Sequence, residues 1–195
     1  FRAFDPNRPA AISHRRLPHW RQEGATYFIT FRLADSLPKK LEQELYRERD
    51  EWLKQNRQTL TPEREQEMRQ FFREKLEAEL DRGHGSCLLR EAAVAGIVEG
   101  ALQHFDGERY WLGSYVVMPN HVHALVTPLG EYRLSGILHS WKPFTSNRIN
   151  RATGRQGALW QKESFDHIVR NAASLEKFRQ YIRDNPKALS SRGRQ

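Results

Sequence analysis

The 195-residue sequence has one cysteine, Cys87. That excludes an internal disulfide framework and any Cys-rich metal cluster, and it suits a reducing compartment. Long apolar runs are missing too. None approaches the roughly 18 residues needed to span a bilayer, so no membrane association is expected. The first residue is Phe1 and not Met, so the start is expected to be a fragment or processed end, and no signal-peptide pattern follows. Internal repeats and low-complexity segments are absent. The length fits one domain, or one domain with a large insertion, able to bury a core without cross-links.

Charge is present in excess and is unevenly placed. Lys and Arg number 32 against 24 Asp and Glu, a net +8. Residues 1–38 carry +3, 39–82 carry −1, 83–130 carry −2 and 131–195 carry +8. A polyanion-binding face is therefore expected in the last third.

Residues 1–24, with Pro6, Pro9 and Pro18 among Arg15, Arg16, His19 and Trp20, read as an irregular arm. Residues 27–33 are aromatic and β-branched and read as a strand. Residues 39–82 are half charged and lack glycine. Leu41, Leu45 and Trp52, then Met68, Phe72, Leu76 and Leu80, fall at helical spacing, so two amphipathic helices are expected. Thr61-Pro62-Glu63 has the form of a helix start. The charges of this stretch are most simply a solvated face, and partner contact is the alternative.

Gly83-His84-Gly85 breaks the second helix, and a third is expected over 88–105. Strands follow at 110–118 and 121–127, joined by a Pro119-Asn120 turn. A helix over 134–151 should be kinked or started by Pro143. Residues 159–169 read as extended. A last helix, 172–184, should end at Asn185-Pro186. This order predicts an α+β fold, an antiparallel sheet with helices on one face.

His121 and His123 flank Val122 on a predicted strand, so both imidazoles lie on one face. Such a pair can chelate a divalent ion, or it can be two ordinary histidines. An oxygen from Asp, Glu, Asn or Gln as third ligand would favour Mg²⁺ or Mn²⁺, and a third histidine, His139 or His167, would favour zinc. Tyr181 and Asn185 are four residues apart, on one face of the last helix. A phenol near Arg179, Arg183 and Lys187 and a metal should ionise more easily and could act as a nucleophile. Half-buried packing is the plainer role.

Four blocks then become specific: 16–20 with 24–33, Tyr115-Val116-Val117-Met118-Pro119-Asn120-His121-Val122-His123, 159–170, and Tyr181-Ile182-Arg183-Asp184-Asn185-Pro186. In this order the chain resembles the REP-associated tyrosine transposases. These are relatives of the IS200/IS605 single-tyrosine transposases in the HUH endonuclease superfamily. The resemblance covers nearly everything except 39–82. Ser164 departs from it, standing where an aromatic residue is common.

The resemblance implies a ferredoxin-like core, one domain over 1–195, with 1–24 an arm and 39–82 a helical insertion. It implies that His121, His123 and Asn185 hold Mg²⁺ or Mn²⁺ and that Tyr181 attacks a phosphodiester. The reaction would be cleavage and rejoining of single-stranded DNA at hairpin elements, through a 5′-phosphotyrosine link. The expected partner is single-stranded DNA bearing a hairpin, and the expected setting is the bacterial cytoplasm at the nucleoid, as monomer or homodimer. Candidate DNA contacts are Arg148, Arg151, Arg155, Trp160, Lys162, Arg170 and Arg183; Trp160, Phe165 and Trp141 could stack on bases, with core packing the plainer role for at least two of the three. Two other functions remain: a hairpin binder with little or no cleavage, and a metal hydrolase unrelated to DNA. Intact His121, His123, Tyr181 and Asn185 weigh against the first, and the basic last third against the second.

Overall fold

A computed structural model of the protein describes residues 1–9, 11–14, 18–56 and 62–192. Thr61, Arg15, Arg16 and Leu17, and the side chains of His19, Trp20 and Lys187, lie outside the described residues.

The core is a four-stranded antiparallel sheet of β3 (Tyr27–Arg32), β4 (Tyr110–Val117), β5 (His121–Pro128) and β6 (Phe165–Ile168). The strands lie in the order β4-β5-β3-β6. Helix α3 (Ala92–Gln103) joins β3 to β4 and α4 (Leu134–Thr153) joins β5 to β6. This β-α-β-β-α-β path is ferredoxin-like. The pair α1 (Lys39–Gln55) and α2 (Pro62–Leu80) is inserted after β3, and α5 (Ala172–Arg192) follows β6.

Strand alternation sorts the core into two layers. Tyr27, Ile29 and Phe31 of β3 and Leu33 just after it, with Val122, Ala124 and Val126 of β5, pack against Val94, Val98 and Leu102 of α3 and Ile137, Trp141 and Ile149 of α4. Phe28 and Leu125, on the opposite face, pack against Leu175, Phe178 and Ile182 of α5. Thus α3 and α4 share one face as expected, and α5 additionally covers the other. Every residue of β5 is buried because both faces are covered. The insertion keeps a small core of its own: Leu37, Leu45, Met68, Phe72, Leu76 and Leu80, with Phe165 of β6 against it.

The expected elements differ from the structure in several places. The arm is not wholly irregular: β1 (Ala11–His14) pairs antiparallel with β2 (Pro18–Arg21). The proline-rich composition hides a four-residue pairing. Helix α4 runs through Pro143. Pro143 lies on the exposed face, where water can take the carbonyl that loses its partner. Helix α5 likewise continues through Pro186 to Arg192, where Lys, Ala and Leu after the proline favour helix. A fourth expectation, extended chain over 159–169, narrows to β6 and a single bridge from Trp160 to Leu33.

Candidate active site

His121 and His123 lie on the face of β5 that meets α5, and neither is exposed. Their Nε2 atoms are 2.9 Å apart. The outer nitrogens are both engaged. His121 Nδ1 is 2.7 Å from Asn120 Oδ1, and His123 Nδ1 is 2.8 Å from Thr30 Oγ1. The Asn120 amide is oriented by its own donations to the carbonyls of Leu80, 3.2 Å, and His84, 3.1 Å. Its oxygen therefore accepts from His121 Nδ1–H, which leaves His121 Nε2 with a lone pair. His123 Nε2–H then donates to that lone pair, and Thr30 donates to His123 Nδ1. Thr30 can equally accept, so its hydroxyl serves either tautomer of His123.

Burial lowers the pKa of both rings. His121 is brought to about 3, and His123 falls well below its ordinary value, helped by His121 and Arg73. The pair is neutral at physiological pH, as metal ligation requires. Two ligands at 90° on bonds of about 2.1 Å are about 3 Å apart. The 2.9 Å separation thus fits two neighbouring ligands on one ion.

Tyr181 stands beside the pair. Its ring meets His123 edge to face at 5.2 Å between centroids and Phe28 at 6.0 Å. Phe28 stacks on His123 at 5.3 Å and on Phe178 at 4.4 Å, so one aromatic column sets both residues. The residue at i+4, Asn185, is buried. Its side chain faces the phenol and pulls the phenol's pKa down.

The neighbours of the phenol differ from the expected cations. Burial first, then the Glu77 carboxylate, push its pKa above the ordinary value, and Asp81 adds to this. Arg183 instead donates to Glu176, 2.6 Å, and Gln180, 2.7 Å, on the exposed side of α5. Tyr181 is therefore a protonated phenol facing carboxylates. Those groups come from α2, a segment the sequence marked as a solvated face. Arg73, Glu77 and Asp81 are spaced i, i+4, i+8 and so share one face of the helix. Arg73 lies over the Phe178 ring at 5.2 Å. Glu77 is buried and its pKa is raised to about 7 by burial, with Asp81 and Glu74 contributing and Arg73 opposing. Asp81 Oδ1 is 4.0 Å from His121 Nε2.

Arg73 Nε, Glu77 Oε1, Tyr181 OH and Asn185 Nδ2 are buried and lack a hydrogen-bond partner among the described residues. Such atoms cost free energy unless something pairs with them. The imidazole nitrogens and the Glu77 oxygen are lone-pair donors of the kind an ion-binding site offers, while the Arg73 and Asn185 N–H groups need an acceptor. His121, His123 and Asn185 thus fit a divalent ion. Asn120, Thr30, Glu77 and Asp81 were missed by sequence reasoning. The one available signal was the 4-residue spacing of Arg73, Glu77 and Asp81, masked by the many other charges of α2.

The expected DNA contacts divide. Trp160 is 6% exposed, donates to Thr145 Oγ1 at 2.8 Å and meets Phe31 edge-on. Its ring is part of the core and is not open to bases. Trp141 is likewise buried, donating to the Tyr110 hydroxyl at 3.0 Å. Phe165 packs against Phe72. Arg148, Arg151 and Arg155 are exposed along α4 and the loop after it, in the layer opposite the histidines. Arg148 lies over Phe144, an aromatic residue 50% exposed. Arg170 is exposed next to Phe4. Lys162 is exposed at a groove of about 1350 Å³ that Arg21, Arg133, Lys142 and His139 also line. His139 is therefore remote from the histidine pair. His167 is on β6, separated from β5 by β3, about 10 Å away.

Residues 95–185 match the family described as Transposase IS200 like. This segment is similar to the IS200-like transposases. It runs from α3 to Asn185 and contains both histidines and Tyr181. The chain is similar in fold to the solved structure of a REP-associated tyrosine transposase bound to a REP hairpin. The TM-score is 0.52 at 18% identity, over 90% of this chain and 72% of that one. A putative transposase from Deinococcus radiodurans R1 is similar at TM-score 0.44 and 14% identity, over 82% of this chain and 89% of that one. No curated protein matches the chain. Among the described residues, no helix is long and apolar enough to cross a membrane.

Proposed function

We propose that this chain cuts and rejoins single-stranded DNA at hairpin elements, with Tyr181 as nucleophile. The observation that carries the proposal is the packing of the Tyr181 ring on His123, 5.2 Å between centroids, beside two imidazole nitrogens 2.9 Å apart. In this reading the whole chain acts as one domain, with 39–82 inserted into it. His121 and His123, with Asn185, hold Mg²⁺ or Mn²⁺. The ion, when bound, supplies positive charge at the scissile phosphate.

The chain's own groups do the rest. The phenol oxygen attacks phosphorus in line, forming the Tyr181 O–P bond as the P–O3′ bond breaks. The phenol proton passes to Glu77, whose pKa of about 7 suits it to take and return a proton. The 3′-oxygen leaves and is protonated from solvent. A 3′-hydroxyl attacking the phosphotyrosine reverses the step, so the bond energy is retained without ATP. The REP-associated enzyme of known structure is bound to a REP hairpin. We assign a hairpin partner here by that analogy, with Arg148, Arg151, Arg155, Lys162, Arg170 and Arg183 as backbone contacts. Phe144, exposed under Arg148, takes the stacking role first considered for Trp160.

One observation favours a second reading, a hairpin binder with little cleavage. Both imidazoles are fully buried, and side chains of α2 cover the phenol. Labelled single-stranded hairpin DNA from the chain's own genomic neighbourhood, incubated with Mg²⁺ or Mn²⁺, separates them. A covalent adduct on a denaturing gel, abolished by Tyr181→Phe with binding retained, supports the nuclease. Binding without adduct leaves the binder. Cleavage by Tyr181→Phe would make water or another residue the nucleophile.

A further inference from the structure

We propose that Asp81, the residue just after the inserted helix α2, is a further ligand of the divalent ion held by His121 and His123. This rests on the metal-dependent reading above and deepens it. The insertion would then complete the ion site from outside the ferredoxin-like core.

Asp81 Oδ1 lies 4.0 Å from His121 Nε2, the nitrogen that carries the lone pair. Neighbouring ligands on bonds of about 2.1 Å stand about 3 Å apart. A rotation of the Asp81 side chain by about 1 Å at its tip closes the difference. As they stand, no three His, Cys, Asp or Glu side chains among the described residues enclose an ion. The approach is nevertheless built, because Asn120 fixes it. Its amide donates to the carbonyls of Leu80 and His84, on either side of Asp81, while its oxygen holds His121. One side chain therefore sets the position of the carboxylate and of the imidazole together.

A further side chain points to a cation. Glu77, one turn before Asp81, is 7% exposed, and its Oε1 has no hydrogen-bond partner among the described residues. Carboxylates 77 and 81 share one helix face against neutral imidazoles, and a divalent ion between them would be held by both kinds of group. A carboxylate with two imidazoles and an amide gives a mixed N/O set, which can hold Mn²⁺.

Binding of Mn²⁺ to the DNA-free protein, read from the loss of the free-ion EPR signal, tests the proposal without activity. Asp81→Asn, which keeps the shape, is expected to weaken binding about tenfold, and Asp81→Ala more. His123→Ala should lose binding altogether. Circular dichroism in EDTA should show the Asp81 variants folded. If both Asp81 variants bind Mn²⁺ within twofold of wild type while His123→Ala does not, Asp81 is no ligand and the functional reading stands. If wild type itself binds no Mn²⁺, both fall.

Discussion

At the scale of the residue, burial decides more than identity. His121 and His123 are neutral because no water reaches them, and Tyr181 is protonated because it is buried and faces carboxylates. Glu77 gives a measurable consequence. Its folded pKa, about 7, lies above its ordinary value of 4.5. Between those values the folded state holds a proton that the unfolded state releases. The stability Glu77 contributes is therefore present in full below about pH 4.5 and lost as pH rises through about 7. In EDTA, wild type should lose up to about 3 kcal/mol between pH 4.5 and 8 relative to Glu77→Gln, measured by urea denaturation. Equal pH slopes would show that Glu77 is not protonated in the fold. Trp160 illustrates the same rule in the core. Trp160→Ala should cost about 3–5 kcal/mol, far more than removal of a base-stacking surface residue.

At the scale of the element, the insertion is fastened to the core by charge as well as by Leu and Phe. Arg32 of β3 is 3% exposed and donates to Ser36 Oγ at 3.0 Å and to Glu42 in the first turn of α1. Gln161 also donates to Glu42, at 2.5 Å. Loss of Glu42 leaves a buried guanidinium without its counter-ion. Glu42→Ala should therefore destabilise the fold by about 2–4 kcal/mol, and Glu42→Gln by less, in thermal unfolding. Equal stability of Glu42→Ala and wild type would mean that Arg32 finds water. Helix α2 then has two tasks in the fold: its apolar stripe buries Met68, Phe72, Leu76 and Leu80, and a neighbouring stripe carries Arg73, Glu77 and Asp81 to the histidines. Only the first stripe was legible, because hydrophobic periodicity shows what is buried and not what it is buried against.

At the scale of the whole molecule, charge and site are separated. The excess of the last third lies partly on α4, across the sheet from the histidines, where Arg148, Arg151 and Arg155 are exposed. The face around Tyr181 is instead bounded by carboxylates of the insertion. Hairpin binding through the α4 cations should be strongly salt dependent. The slope of log K against log salt should fall by about 0.7–0.9 for each phosphate that is no longer neutralised. Fluorescence anisotropy with Arg148→Ala, Arg151→Ala and Arg155→Ala combined should show a slope shallower by about 2–3. An unchanged slope would move the binding face away from α4.

The sequence by itself determined the α+β class, the β3 and β4–β5 strands, the helical pair and the pairing of His121 with His123 on one face. Those follow from local periodicity, which a chain carries without reference to its neighbours. The tertiary structure decided what meets that face. It brought Thr30 from β3 and Asn120 from the turn to the two imidazoles, and Glu77 and Asp81 from the insertion to the same place. It also sent Trp160 inward and carried two helices through their prolines. Such outcomes depend on packing between segments far apart in the chain, and no spacing within one segment encodes them.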